Sequence, residues 1–229
     1  MSYIPPLDDS KQRPRLPRGL DPVEIRVLGA LMEKQLSTPE YYPLTLNALV
    51  AATNQKSNRD PVMELSDAEV QRALDRLQDE KLVWRVMGGR AVRYDHNLDV
   101  LWRIDRREKA LLTLLFLRGP QTPGELRGRS DRLHSFDSVG EVESLLHDMA
   151  RQHEPLVREL PRRAGQKESR WAQLAGGAAS ISETEIAAPA ALHAASPHGE
   201  PLSARVQRLE EEVAALTEEL RALRQQLGG

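Results

Sequence analysis

Five times the chain places a helix-capping residue three positions before a glutamate: Asp21 and Glu24, Ser66 and Glu69, Asp105 and Glu108, Thr122 and Glu125, Ser138 and Glu141. The first side chain of each pair can accept an orphan N–H of a helix's first turn. The glutamate can reach back to the N–H of the cap itself, so each pair predicts a helix start. Pro22 and Pro123 stand at the first helical position, where a missing N–H costs nothing. Two of the five helices also share an apolar stripe. Val70, Ala73, Leu74 and Leu77 come after Ser66, and Val142, Leu145, Leu146 and Met149 come after Ser138, at an offset of 72 residues from Val70 to Val142. Positions i, i+3, i+4 and i+7 form one face of an amphipathic helix, and their recurrence means that one helical unit is written twice.

A pair of strands completes each unit. Leu82–Val86, a Gly88–Gly89 turn and Ala91–Tyr94 predict a hairpin after the first stripe. Leu156–Leu160, a loop at Pro161–Gln166 and Lys167–Leu174 predict another after the second. The order helix, helix, capped helix, hairpin is the winged-helix arrangement, whose third helix can enter a DNA groove with the hairpin alongside. The fold class expected is mainly α with small β-hairpins (α+β): two tandem winged-helix domains plus a C-terminal coiled-coil helix. The alternative is an unrelated small α+β domain repeated twice.

Residues 1–20, rich in proline and basic groups (Lys11, Arg13, Arg15, Arg18), read as a disordered tail. The two domains are expected at 21–98 and 99–174. Val100, Leu101, Trp102 and Ile104 are too apolar for a free linker and are expected to pack between the domains and limit their motion. The first and third caps are 45 residues apart in unit one (Asp21 to Ser66) and 33 in unit two (Asp105 to Ser138), so the loops Ser37–Pro43 and Asn54–Leu65 share twelve extra residues. Long loops in compact domains are often functional.

Residues 175–200 turn to Ala, Gly, Ser, Pro and His and read as a flexible linker. In 201–229, Val206, Val213, Leu220 and Leu227 occupy heptad position a, and Leu202, Leu209, Leu216 and Leu223 occupy d. Val at a with Leu at d favours a parallel two-stranded coil, in which Arg205 faces Glu210 and Glu219 faces Arg224 across the dimer. The expected partner is therefore a second copy of the chain.

The chain resembles the YceH-like family of bacterial proteins. The resemblance is carried by Asn54-Gln-Lys-Ser-Asn-Arg-Asp-Pro-Val62, by Leu117-Arg-Gly-Pro-Gln-Thr-Pro-Gly-Glu-Leu-Arg127 and by Tyr42-Pro-Leu-Thr-Leu-Asn-Ala-Leu49. It covers roughly Leu20 to Leu174 and implies tandem winged-helix domains and a bacterial origin. It brings no activity with it.

The absence of cysteine excludes disulfides, thiolate metal sites and cysteine nucleophiles. No signal-peptide pattern opens the chain, and no apolar run approaches the ~20 residues of a membrane span, so a soluble cytoplasmic protein without membrane contact is expected. No phosphate-cradling glycine loop, Gly-x-Ser-x-Gly elbow or His-Glu-x-x-His helix is present, and the six histidines are scattered. No catalytic residue, metal or cofactor is expected.

Two partner classes remain, DNA and polypeptide. For DNA, the wings offer Arg85, Arg90 and Arg93 in unit one and Arg162, Arg163, Lys167 and Arg170 in unit two. The second long loop adds Lys56, Asn58 and Arg59, and the first recognition helix adds Gln71, Arg72 and Arg76. Against DNA, the third helices (Asp67–Lys81 and Val139–His153) are both acidic, with 5 acids to 3 bases and 3 to 1. Lys and Arg number 15 against 15 acids over residues 1–104, 13 against 11 over 105–174, and 4 against 8 over 175–229. Neither domain has the basic excess of a dedicated DNA binder. A DNA-associated regulator with wing-dominated phosphate contacts is the first reading. A protein–protein scaffold is the alternative. A positive stripe across helix three and the wing would favour the first; a negative or apolar groove would favour the second.

Overall fold

The structure, a computed structural model, describes residues 14–16, 18–87, 91–162, 166 and 168–177. The heptad from Leu202 to Leu227 and the candidates Arg90, Arg163 and Lys167 lie outside the described residues. The described chain runs α1 (Pro22–Ser37), a 3-10 turn (Pro39–Tyr41), β1 (Leu44–Thr45), α2 (Leu46–Thr53), α3 (Asp67–Asp79), β2 (Val83–Val86), β3 (Arg93–His96) and α4 (Leu98–Leu101). It continues with α5 (Arg106–Arg118), α6 (Pro123–Ser130), α7 (Val139–Ala150), β4 (Val157–Leu160) and β5 (Arg170–Gln173). Three helices and then an antiparallel hairpin thus occur twice, with α4 between.

All five predicted caps start helices. Asp21, Ser66, Asp105 and Thr122 form complete reciprocal capping boxes. At Ser138 only half the box forms. Its hydroxyl accepts from Glu141 N–H (3.1 Å), but the Glu141 carboxylate accepts from Asp137 N–H (2.9 Å), one residue earlier. The third helices stop at Asp79 and Ala150, short of the predicted Lys81 and His153. Lys81 adopts a left-handed φ of 61°, donating to Gln78 O while Leu82 N–H donates to Leu77 O. That is a Schellman ending built without glycine.

Within each repeat a short segment before the second helix pairs with the last strand. Leu44 and Thr45 pair with Tyr94 and Arg93, giving a sheet of order β1-β3-β2. In the second repeat Gln121 alone takes this place, exchanging both backbone hydrogen bonds with Trp171 on β5. The offset from Leu44 to Gln121 and from Tyr94 to Trp171 is 77 residues in both cases, so the repeat extends beyond the helix stripe.

One hydrophobic core runs through both repeats. α1 and α5 are buried nearly all round, as helices that are apolar on several faces must be. They meet at Gly29, where an added Cβ would lie 2.8 Å from Leu117 Cδ2 and 3.0 Å from Phe116 Cβ, so any side chain here would force α5 side chains to shift. Trp102 and Ile104 from the apolar connector enter the same core, and the Trp102 ring stands edge-on to Phe116. Val100 instead faces solvent. Among the described residues, no helix is long and apolar enough to cross a membrane.

The described part of residues 14–20 corrects the expected disordered tail. Trp102 Nε1–H donates to Arg15 O (2.8 Å), Arg18 makes a two-pronged bond to Glu24 (2.7 and 2.8 Å), and Leu20 N–H donates to Ala175 O (2.8 Å). Proline and arginine are here the composition of a strap held by specific partners.

Candidate interaction surface

The face singled out by the sequence is the solvent side of α3 with the first hairpin. The register sets Val83 opposite His96, Trp84 opposite Asp95, Arg85 opposite Tyr94 and Val86 opposite Arg93. Opposed residues share a side of the sheet. The Arg85 and Tyr94 side looks toward α3: Tyr94 Oη–H donates to Gln71 (3.0 Å), and Arg85 pairs with Asp75 (3.1 Å). Met87 directly follows β2 and Val92 directly precedes β3. Met87 is 82% exposed and Val92 41% exposed. Two exposed apolar residues therefore stand where the two strands run out.

The cations expected on this face are largely engaged within the fold. Arg76 binds Glu24 (2.9 Å) and Asp21 and so braces α3 against the start of α1. Gln71 is held between Tyr94 and Asp75. Arg93 is exposed, but its guanidinium donates to Pro43 O (2.7 Å). Arg72 is exposed, with Asp67, Asp75 and Asp79 also exposed along the helix. Arg76 and Arg85 are thus paired with carboxylates, Arg93 is held on a carbonyl, and Arg72 shares its helix with exposed acids.

The second long loop proves structural in its central residue. Arg59, expected to face DNA, is 6% exposed. Its guanidinium donates to Glu33 (2.6 and 3.1 Å), to Ala52 O and to Gln55, so it ties the loop to α1 and to the end of α2. Arg26, also buried, donates to Thr53 O and Pro61 O from below. Burial lowers the pKa of Arg26, and the neighbouring Arg59 charge lowers it further. The loop then crosses to the second repeat: Asp60 N–H donates to Leu117 O (2.9 Å), and Arg118 donates to Asn58 Oδ1 (2.6 Å). Asn58 is thereby occupied at the joint, at a left-handed φ of 59°. Of the loop candidates, Lys56 and Asn58 are exposed, Asn58 with its Oδ1 already engaged by Arg118. The extra length in the first repeat joins the segments Asn54–Val62 and Leu117–Arg127 to each other.

The equivalent face of the second repeat is more acidic. Glu143 and Asp148 are exposed on α7, and Arg151 pairs with Asp148 (3.5 Å). His147 stands edge-on to buried Trp171. Arg162 is exposed beyond β4, whereas Arg170 is half-buried within β5.

A polar cluster lies where the first sheet meets α5. Tyr42 Oη–H donates to Asp95 (2.7 Å), and Lys109 donates to Asp99 and Gln35 (both 2.6 Å). His96 Nδ1 accepts from Leu98 N–H, so the ring proton sits on Nε2, which has no partner among the described residues. Burial holds the His96 imidazole down to about 4, against only a partial opposing pull from Asp99. The unfolded chain, titrating near 6.5, takes up the proton first on acidification. Stability is thus intact above that pH and should fall by about 3 kcal/mol between about pH 6.5 and about pH 4. Urea unfolding across this range checks it: His96→Gln should flatten the slope, and an unchanged slope would remove His96 as its cause. Glu24 acts in a lower window. Burial alone would raise its pKa, but hydrogen bonds from Arg18, the Asp21 N–H and Arg76 outweigh that and hold it at about 2.

Among the described residues no group of three or more His, Asp or Glu side chains could hold a metal ion. Sequence reasoning missed Met87 and Val92, whose signal was two apolar residues flanking the Gly-Gly turn beyond the last core pair. It also missed the strap.

A family model described as a protein of unknown function, DUF480, matches residues 20–166. A UPF0502 protein of Azoarcus sp. is 46% identical over 220 residues, covering 95% of each chain. Another, from Geobacter sulfurreducens, is 48% identical over 203 residues, covering 86% of this chain and 90% of the relative. A third, from Opitutus terrae, is 48% identical over 200 residues, covering 86% and 83%.

Proposed function

Since the chain belongs to this bacterial DUF480/UPF0502 family, which carries no activity to transfer, we propose from the geometry that it is a non-enzymatic tandem winged-helix interaction protein. Its first repeat binds a polypeptide across α3 and the hairpin. The exposure of Met87 and Val92 where the two strands run out, with Arg76 and Arg85 paired to carboxylates, is the observation that carries this reading. Exposed apolar side chains grouped at an edge mark protein contacts, whereas a groove-reading helix offers Arg, Lys, Asn or Gln to base edges. A photo-crosslinking residue in place of Met87 should yield protein adducts in the native cell that are absent when the same residue replaces Asp79. Adducts to nucleic acid alone would reject the reading.

DNA remains a second reading for a specific reason. Lys56, Arg72, Arg85, Arg93 and Arg162 are exposed, and an exposed pair such as Arg85 with Asp75 is worth only about 0–1 kcal/mol, so a phosphate could displace the carboxylate. The heptad at Leu202–Leu227 is proposed to pair two copies in parallel. Sedimentation of the chain shortened at residue 200 checks this, and an unchanged mass would reject it.

A further inference from the structure

Residues 15, 16 and 18–20 form a strap that touches parts of the fold that are far apart in sequence. At one end, Arg15 N–H donates to Glu154 Oε2 (2.9 Å), and its guanidinium donates to Glu154 O (3.1 Å) and to Gln152. These partners belong to the turn directly after α7. Gln152 is itself bonded to Glu108 on α5 (3.2 Å). At the other end, Arg18 binds Glu24 at the start of α1 and lies 3.5 Å from Glu80, the residue that caps the C-terminus of α3. Glu24 in turn holds Arg76 of α3. Between the two ends, Arg15 O accepts from the buried Trp102 indole, and beyond them Leu20 hydrogen-bonds Ala175 after β5.

We infer that the strap is a brace that sets the spacing between the C-terminal ends of α3 and α7, the third helices of the two repeats. Arg15 and Arg18 are three residues apart, a span of at most about 10 Å. That short tie links the Glu80 end of α3 to the Gln152–Glu154 turn after α7. The α1–α5 core fixes the repeats at their first helices, and the strap fixes them at their third. A partner that spanned both third helices would meet them at one separation, whatever its chemistry. The inference does not depend on whether that partner is polypeptide or DNA.

The chain has no cysteine, so a spin-label pair can be placed cleanly at Asp79→Cys and Ser144→Cys, both exposed. In the full chain the pair should give one narrow distance distribution by pulsed electron resonance. Arg15→Ala with Glu154→Ala removes all three Arg15 bonds to the turn after α7 and leaves Glu24 with its partners, and should broaden the distribution at least twofold. A width unchanged in a folded variant would overturn the brace. Should that variant fail to fold, hydrogen exchange on the unaltered chain decides. The amides of Arg15 and Leu20 should exchange at least tenfold more slowly than in an unstructured peptide, and unprotected amides would overturn the inference.

Discussion

Arg59→Ala should cost about 3–5 kcal/mol of folding stability, because it removes the buried partner of an ion pair and leaves Glu33 with only the more distant Lys34 (3.5 Å). The guanidinium is 0% exposed at the side chain, and Glu33 opposite it is 13% exposed. The loss also frees Ala52 O and Gln55, which accept from the same group. Lysine cannot substitute, since a single ammonium lacks the planar fork that reaches Glu33, Ala52 O and Gln55 together. Equilibrium urea unfolding measures the effect. A residue serving only to contact DNA from a solvated loop would leave the midpoint where it was, so this substitution separates the structural role from the one suggested by the sequence.

Leu74→Ala and Leu146→Ala should each cost about 2–5 kcal/mol, the range for emptying a well-packed core site. Both side chains are 0% exposed, at positions related by the 72-residue offset. The continuous core adds a sharper expectation. With α1 packed on α5 through Gly29, damage in either repeat should lower the midpoint of one shared transition. Two separated transitions in the Leu146→Ala protein would mean that the repeats fold independently.

Helix starts were legible because caps are local chemistry: a short polar side chain and a glutamate three residues on are enough. The start of α2 carried no such signal, because its cap, Thr45, has Ala48 at the third position after it, so only half of the box exists. The core face of α3 and α7 was legible from periodicity, and Val70, Leu74, Leu77, Val142, Leu146 and Met149 are all buried, with Leu145 partly so. The ends of those helices were not legible, because the left-handed residue at the first end is Lys81, where glycine would have given the signal.

The candidate site was legible by element but not by residue. Arg59, Arg76 and Arg85 sit in polar sequence that reads as solvated surface. Their partners Glu33, Glu24 and Asp75 come from folding, and sequence spacing does not reveal a pair 26 or 52 residues apart. The strap hid for the same reason: nothing local in Arg15 or Arg18 points to Glu154 or Glu24.

On the proposed function, the first α3–hairpin face receives polypeptide in preference to duplex DNA. Fluorescence anisotropy of a labelled duplex, titrated with the full chain at ~50 mM and ~200 mM salt, tests it most directly. A DNA binder with ~6–10 phosphate contacts would lose ~10³–10⁵ in affinity over that range. No saturable binding is expected even at ~50 mM salt. Saturable binding that weakens steeply with salt, and weakens again in Arg72→Ala/Arg93→Ala, would contradict it.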